Sequence, residues 1–283
     1  MAPFDLLSPR TVEEALATIR SYPADEVAVL AGGTDLLLDL DGERSAPRAV
    51  VSLRRLPWRT LDWNGPALTI GSTLPLRALE TDPDLKRRLP ALHEAVRAVG
   101  GVALRNRATL GGNLGRAAPA SDLIPVLLVL DAEVELVGPG GARTMSVDQF
   151  VHGSRKTELG RAELIRSVRI PEARPSAYLW QRVRPANDIS QLSVAVAYAP
   201  QDRSWRVALG GIPPRPVRVP EAEGVLLGTR PSIEAVKDAA DRAAAHASLV
   251  TDRRASDEYR RQIAGVLLAR AVRAAAARGE GLP

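Results

Sequence analysis

The 283-residue chain is 45% hydrophobic and 25% charged, the balance of an ordinary globular protein, and its length allows about two domains with a sizeable core. It contains no cysteine, which excludes disulfides, thiolate zinc sites, cysteine nucleophiles and cysteine-ligated iron–sulfur clusters on this chain. The net charge of +5 comes from basic residues scattered among acids, all arginine except Lys86, Lys156 and Lys237, with no basic run interleaved with aromatics, so the pattern of a nucleic-acid surface is missing. His93, His152 and His246 are far apart and show no metal-ligand spacing. No apolar stretch reaches the roughly 18–20 residues of a membrane span, and the N-terminus lacks a signal-peptide pattern, so a cytoplasmic location is expected.

The first predicted element is a helix. Thr11 and Glu14 form a capping-box pattern after Pro9, and Val12, Ala15, Leu16 and Ile19 recur on one helical face. Val27–Leu30 reads as a buried strand running into Ala31-Gly32-Gly33-Thr34-Asp35, which places this glycine turn at a strand's C-terminal end. Short strands are predicted at 49–53 and 67–70, and helices around 76–80 and 89–99, the latter stopped by Gly100-Gly101. Residues 102–114, rich in Arg, Asn and Gly, read as irregular and hold a second glycine turn, Thr109-Leu110-Gly111-Gly112-Asn113. Ser121-Asp122 looks like a helix start before the apolar run 123–130. Strands follow at 132–137 and 142–145 around a Gly138–Gly141 turn, and at 163–170, closed by Pro171. After a linker at 171–175, three antiparallel strands (177–184, 192–198, 205–209) and two Ala-rich helices (232–247, 257–276) complete the chain.

The glycine turns carry most of the functional information. Glycine tolerates positive φ and lets backbone N–H groups approach an anion. A lone Gly-Gly turn is a weak signal that often marks only a tight connection. There is no G-x-G-x-x-G opening a helix and no G-x-x-x-x-G-K-[ST], so neither a Rossmann site nor a P-loop is supported. Two such turns together, each with hydroxyl and amide or carboxylate side chains, suggest a ligand with two phosphates held from two directions. Thr34, Thr109 and Asn113 can donate to phosphate oxygens, as can the N–H groups of Gly32, Gly33, Gly111 and Gly112. Asp35 and Asp122 can only accept, which suits ribose or ribityl hydroxyls.

These residues resemble a known family. Ala31-Gly-Gly-Thr-Asp-Leu36, Asn106-Arg-Ala-Thr-Leu-Gly-Gly-Asn-Leu114, Ser121-Asp-Leu-Ile-Pro125 and Leu130-Asp-Ala132 look like the FAD-binding medium subunit of the molybdenum hydroxylases. The start around Phe4, the Phe150–Thr157 stretch and the Glu163–Pro171 stretch extend the likeness along essentially the whole chain. The resemblance implies an α+β chain with the FAD-binding fold of the PCMH/vanillyl-alcohol-oxidase type. Its two α/β subdomains would span about 1–55 and 56–172 of an FAD-binding domain at 1–172. A C-terminal domain at 176–283, built on a three-stranded antiparallel sheet plus helices, would cover the flavin end. It also implies non-covalent FAD, with the two glycine turns on its pyrophosphate and Asp122 on the ribityl or ribose hydroxyls. The expected cofactor-binding residues are Leu30, Ala31, Gly32, Gly33, Thr34, Asp35, Leu36, Asn106, Thr109, Gly111, Gly112, Asn113, Ser121, Asp122 and Trp180. The implied partners are a molybdenum-cofactor large subunit, a small subunit with [2Fe–2S] clusters and a small-molecule electron acceptor, with the flavin relaying electrons between them.

One stretch departs from the family pattern. Where relatives commonly carry a lysine near the isoalloxazine, this chain has Trp180-Gln181, with Arg182, Arg184 and Asp188 nearby. Arg182 or Arg184 could supply the cation, Lys156 is another candidate, and Trp180 could stack on the ring or simply belong to a sheet face. The departure leaves open a stand-alone FAD-dependent dehydrogenase or oxidase acting on a small molecule, and a flavin-free nucleotide-sensing or scaffold module. No catalytic residue and no metal ligand is assigned.

Overall fold

The computed structural model describes residues 2–42, 44–184, 187–228, 231–246 and 250–279. The chain opens with β1 (Asp5–Leu7), α1 (Val12–Arg20), β2 (Val27–Leu30), α2 (Leu36–Asp41) and β3 (Ala49–Ser52). The three strands form a small parallel sheet in the order β1-β3-β2. Thr11 caps α1 by accepting from Glu14 N–H, while the Glu14 carboxylate reaches back to the N–H of Arg10 at 2.7 Å. The capping box is thus shifted by one residue from its usual partner. Ala15 and Ile19 of α1 pack with Val51, Leu53 and Trp58 into a small core of their own.

A second unit contains β4 (Leu61–Asn64), β5 (Ala67–Gly71), α3 (Leu76–Thr81), α4 (Pro83–Arg88), α5 (Pro90–Ala98), α6 (Val102–Arg105), α7 (Leu110–Arg116), α8 (Leu123–Val129), β6 (Glu133–Gly138), β7 (Gly141–Ser146), α9 (Val147–Phe150), the short pair β8 (Val151–Gly153) and β9 (Lys156–Thr157), and β10 (Leu164–Ile170). Its five-stranded antiparallel sheet runs β4-β5-β10-β6-β7. The region predicted as irregular, 102–114, is therefore partly helical. Thr109 supplies the reason: its side chain accepts from Gly112 N–H and caps α7, so the second glycine turn becomes a helix's first turn.

The remainder comprises β11 (Ser176–Gln181), β12 (Leu192–Ala199), β13 (Ser204–Gly210), β14 (Val217–Arg218), α10 (Pro220–Glu223), α11 (Ile233–His246) and α12 (Asp257–Gly279). The expected helical residue Ala247 lies outside the described residues. The antiparallel sheet has four strands, β11-β12-β13-β14, not the expected three. The two-residue β14 follows a Pro-rich stretch and carries too little pattern to be read as a strand. Every residue of β12 is buried, because both faces are covered. Ala195 and Ala197 face the core that holds α8, while Val194, Val196 and Tyr198 face the core of α11 and α12. All seven residues of α8 are buried, and it packs against α5 as well as β12 and β13. Asp131, at φ +49, ties the same regions together electrostatically: Arg174, Arg206 and Arg218 approach its carboxylate at 2.6, 3.6 and 3.2 Å.

The segment leading into the second glycine turn is anchored by Arg105. Its guanidinium makes a two-point contact with Glu80 of α3 at 2.8 and 2.9 Å and donates to the carbonyls of Val99 and Gly100. Arg105 is buried and Glu80 nearly so. Chiefly through the Arg105 hydrogen bonds, the Glu80 carboxyl is held down at about 2. A depressed carboxylate stabilises the fold fully above its unfolded value near 4.5, and that stabilisation is lost as pH falls through about 2. We expect Glu80→Gln to cost about 3 kcal/mol at pH 7, the lower end for breaking a buried pair because the carbonyl acceptors remain. In urea unfolding series at several pH values, the gap between native chain and variant should shrink between pH 5 and 2. A constant gap would contradict this role for the pair.

Candidate functional site

The first glycine turn leaves β2 and enters α2. Gly33 adopts φ +82, where a side chain would be strained. Among the described residues, no backbone N–H from Gly32 through Leu36 meets an acceptor within the protein. Asp35 occupies the N-cap position of α2 without making a side-chain cap. Gly33 is buried, and Gly32, Thr34 and Leu36 are half-buried. A run of partly buried donors without acceptors is costly unless an outside acceptor is supplied, and such a run suits an anion.

The second turn behaves differently from expectation. Gly111 N–H donates to Ser72 O at 3.2 Å, Gly112 N–H to Thr109 Oγ1 at 3.0 Å, and Asn113 N–H to Thr109 O at 3.0 Å. The Gly111, Gly112 and Asn113 donors are already satisfied within the protein, so the sequence-based role of the Gly111 and Gly112 N–H groups is corrected. Gly111 serves close packing instead, whereas Gly112 keeps ordinary contact distance from the first turn. A Cβ on Gly111 would lie 2.5 Å from Ser72 Cβ, and one on Gly112 would meet Ala31 at 3.6 Å. From the other side, a Cβ on Gly32 would lie 2.1 Å from the Arg107 carbonyl oxygen. The first turn therefore packs closely on the Arg107–Ala108 backbone that leads into the second turn.

Both turns line one cleft of about 790 Å³, within the usual range for cofactor and ligand pockets. Ala31, Gly32, Gly33, Thr34, Asp35, Leu36, Thr109, Gly111, Gly112, Asn113, Ser121 and Asp122 all contribute to its wall. Ser121 Oγ donates to Asn113 Oδ1 at 2.5 Å and accepts from the N–H groups of Leu123 and Ile124. Its hydroxyl is thus fully used in capping α8 and in orienting Asn113. With Oδ1 taken, the Asn113 Nδ2 donor makes no hydrogen bond among the described residues.

Asp122 closes one end of the cleft. Its Oδ1 accepts from the Tyr178 hydroxyl at 2.6 Å and from Ser190 Oγ at 2.7 Å, and its Oδ2 from Arg182 Nη2 at 3.3 Å. Burial pushes its pKa up, against the pull of these partners. Nearby, Asp188 accepts from the N–H groups of Val183, Arg184 and Ile189 and is held at about 2, mainly by the Arg184 N–H.

Three expected residues stand outside the wall. Leu30 ends β2 and packs beside the Gly33 turn, and Asn106 is an exposed residue ending α6. Trp180 stacks on Tyr178 with ring centroids 5.5 Å apart, and Arg182 lies 5.1 Å over it. This sheet-side stack accounts for Trp180 through packing. Lys156, the alternative cation, lies on β9 away from the cleft wall. The cleft also gathers residues that sequence reasoning passed over, including Ser72, Leu104, Arg116, Ile165 and Ile189. Arg116 had a usable signal: once Thr109 is read as a helix cap, residue 116 falls on the same short helix as Gly112 and Asn113.

The fold is α+β, and residues of both glycine turns line one cleft in it. Comparison with known proteins agrees. The family described as the FAD binding domain in molybdopterin dehydrogenase matches residues 2–173, and the CO dehydrogenase flavoprotein C-terminal domain matches 177–275. The chain is 30% identical over 281 residues to the carbon monoxide dehydrogenase medium chain of Hydrogenophaga pseudoflava, covering 97% of this chain and 98% of that one. It is also 30% identical to the nicotine 6-hydroxylase medium subunit of Paenarthrobacter nicotinovorans, covering 96% of each. Among solved structures, carbon monoxide dehydrogenase from H. pseudoflava lacking the Mo-pyranopterin moiety of its molybdenum cofactor matches with a TM-score of 0.91 at 30% identity, over 99% of each chain. The chain belongs to the FAD-binding medium subunits of the molybdenum hydroxylases. It is an FAD-dependent oxidoreductase subunit, and FAD is its cofactor.

The close packing of Gly32 yields a direct test. Gly32→Ala forces a methyl against the Arg107 carbonyl and should cost about 3 kcal/mol, the upper end for overpacking, because backbone is what must yield. Gly140→Ala, with nothing within 4 Å, is the matched control and should shift the unfolding midpoint negligibly. Equal effects in chemical denaturation would contradict the packing role of Gly32.

Proposed function

We propose that this chain relays electrons within a multi-subunit molybdenum-hydroxylase complex. A large subunit carrying the molybdenum cofactor and a small subunit carrying [2Fe–2S] clusters would deliver electrons, and a small-molecule acceptor would remove them. We read residues 1–172 as the FAD-binding domain and 176–283 as a cover over the flavin end, and a cytoplasmic complex accords with the lack, among the described residues, of any helix long and apolar enough to cross a membrane. The absence of cysteine accords with this division, since cysteine-ligated clusters must then reside on another chain.

The observation that carries the reading is the row of unpartnered N–H groups from Gly32 to Leu36 beside the Asn113 amide in one cleft. Those donors would grip the diphosphate, with Thr34 and the Thr109 hydroxyl proton as further donors. Thr109 Oγ1 accepts from Gly112 while its proton stays available. Asp35 and the remaining lone pairs of Asp122 would accept from ribose and ribityl hydroxyls. The bound flavin supplies hydride and single-electron transfer at its ring. The protein's task is to bind, orient and exclude water, so no nucleophile or carboxylate dyad is required of it. The buried cluster of Asp122, Tyr178, Ser190 and Arg182 would fix the end of the cleft against the C-terminal sheet.

The test is flavin binding. The purified chain should carry FAD that is released on denaturation. Asn113→Ala removes one donor to a charged phosphate and should weaken FAD binding roughly 10- to 150-fold in a fluorescence titration. Unchanged affinity in that variant would contradict the assigned cradle.

A further inference from the structure

The cleft wall is poor in positive charge for a site meant to hold a dianionic bridge. Its ionisable residues are Asp35, Asp122 and Asp188 with a single base, Arg116. Arg116 ends α7, the helix whose first turn is the second glycine turn, and its side chain reaches α2, which follows the first. Nη1 donates to Asp39 Oδ2 at 2.5 Å, and Nε stands 3.6 Å from Asp35 Oδ1. The Asp39 hydrogen bond is the guanidinium's only one among the described residues, so most of its fork of donors is unused. The side chain is 22% exposed and belongs to a residue of the cleft wall. Asp39 is buried, and the Arg116 hydrogen bond keeps its carboxyl below the usual range, so the pair stays charged.

Resting on the flavin reading above, we propose that Arg116 is the residue that neutralises the cofactor's diphosphate, held in position by Asp39. A guanidinium offers paired donors in a fixed fork, the geometry that phosphate oxygens accept. Its place beside Asp35 also screens the one carboxylate that the first turn brings near the same anion. Asp39 acts through Arg116 alone and is a positioning residue.

The competing explanation is that Arg116 only staples α7 to α2. The full-length chain and its Arg116→Gln and Arg116→Lys variants separate the two. FAD affinity is measured by fluorescence titration from low to high sodium chloride, and thermal unfolding is recorded on the flavin-stripped chains. Arg116→Gln should bind FAD roughly 10- to 100-fold more weakly at low salt and show a flatter salt dependence, beside whatever the lost Asp39 contact takes from the flavin-free unfolding temperature. Arg116→Lys should recover part of the affinity and most of the salt slope, since it keeps the charge and loses the fork. A lowered flavin-free unfolding temperature with an unaltered salt slope would overturn the proposal in favour of the staple. Arg116→Gln binding FAD as tightly as the native chain would overturn it while leaving the flavin site standing. A native chain that binds no FAD would overturn both.

Discussion

The cleft depends on how closely the first glycine turn packs on the backbone that leads into the second. Gly32 packs on the Arg107 carbonyl, and Gly112 faces Ala31. A side chain at Gly32 would push this segment away by more than a close-packed interior absorbs, and one at Gly111 would displace its own helix from Ser72. The N–H row from Gly32 to Leu36, which has no acceptor among the described residues, starts at this contact. Its glycines are therefore a condition of the site's shape before they are partners of any ligand.

Three charged anchors tie the segments around the cleft. Arg105 and Glu80 hold the segment entering the second turn, and Arg116 and Asp39 join the helices that leave the two turns. Asp122 ties the far end to Tyr178, Ser190 and Arg182 of the C-terminal part. The three carboxyls sit in different surroundings. Glu80 and Asp39 are pulled down by arginine, whereas burial dominates at Asp122 and lifts it. An arginine-rich, lysine-poor chain suits this scheme, because the planar guanidinium can serve several acceptors at once, as Arg105 does with a carboxylate and backbone carbonyls.

Much of this was legible in the sequence. Alternation and apolar runs located β5, β6, β10, β12 and β13, and the Thr11 cap located α1. The two Gly-Gly turns pointed to residues that share one cleft. What escaped was tertiary. Nothing local says that Gly111 is glycine for close approach, since its partner, Ser72, is distant in sequence. The helical start at Leu110 was masked by its glycines, which have poor helix propensity, although Thr109 is a good cap. Trp180 was placed near the cofactor by resemblance, yet its stacking on Tyr178 follows from strand alternation: the two lie two residues apart on one face of β11. The fourth strand, β14, is two residues long and is defined by pairing with β13 rather than by its own composition.

The most direct measurement is a crystal structure of the chain with FAD bound. The diphosphate oxygens should lie about 2.7–3.2 Å from N–H groups of the Gly32–Leu36 turn and from Asn113 Nδ2. A diphosphate held by the Gly111 and Gly112 N–H groups, or lying outside this cleft, would contradict the account.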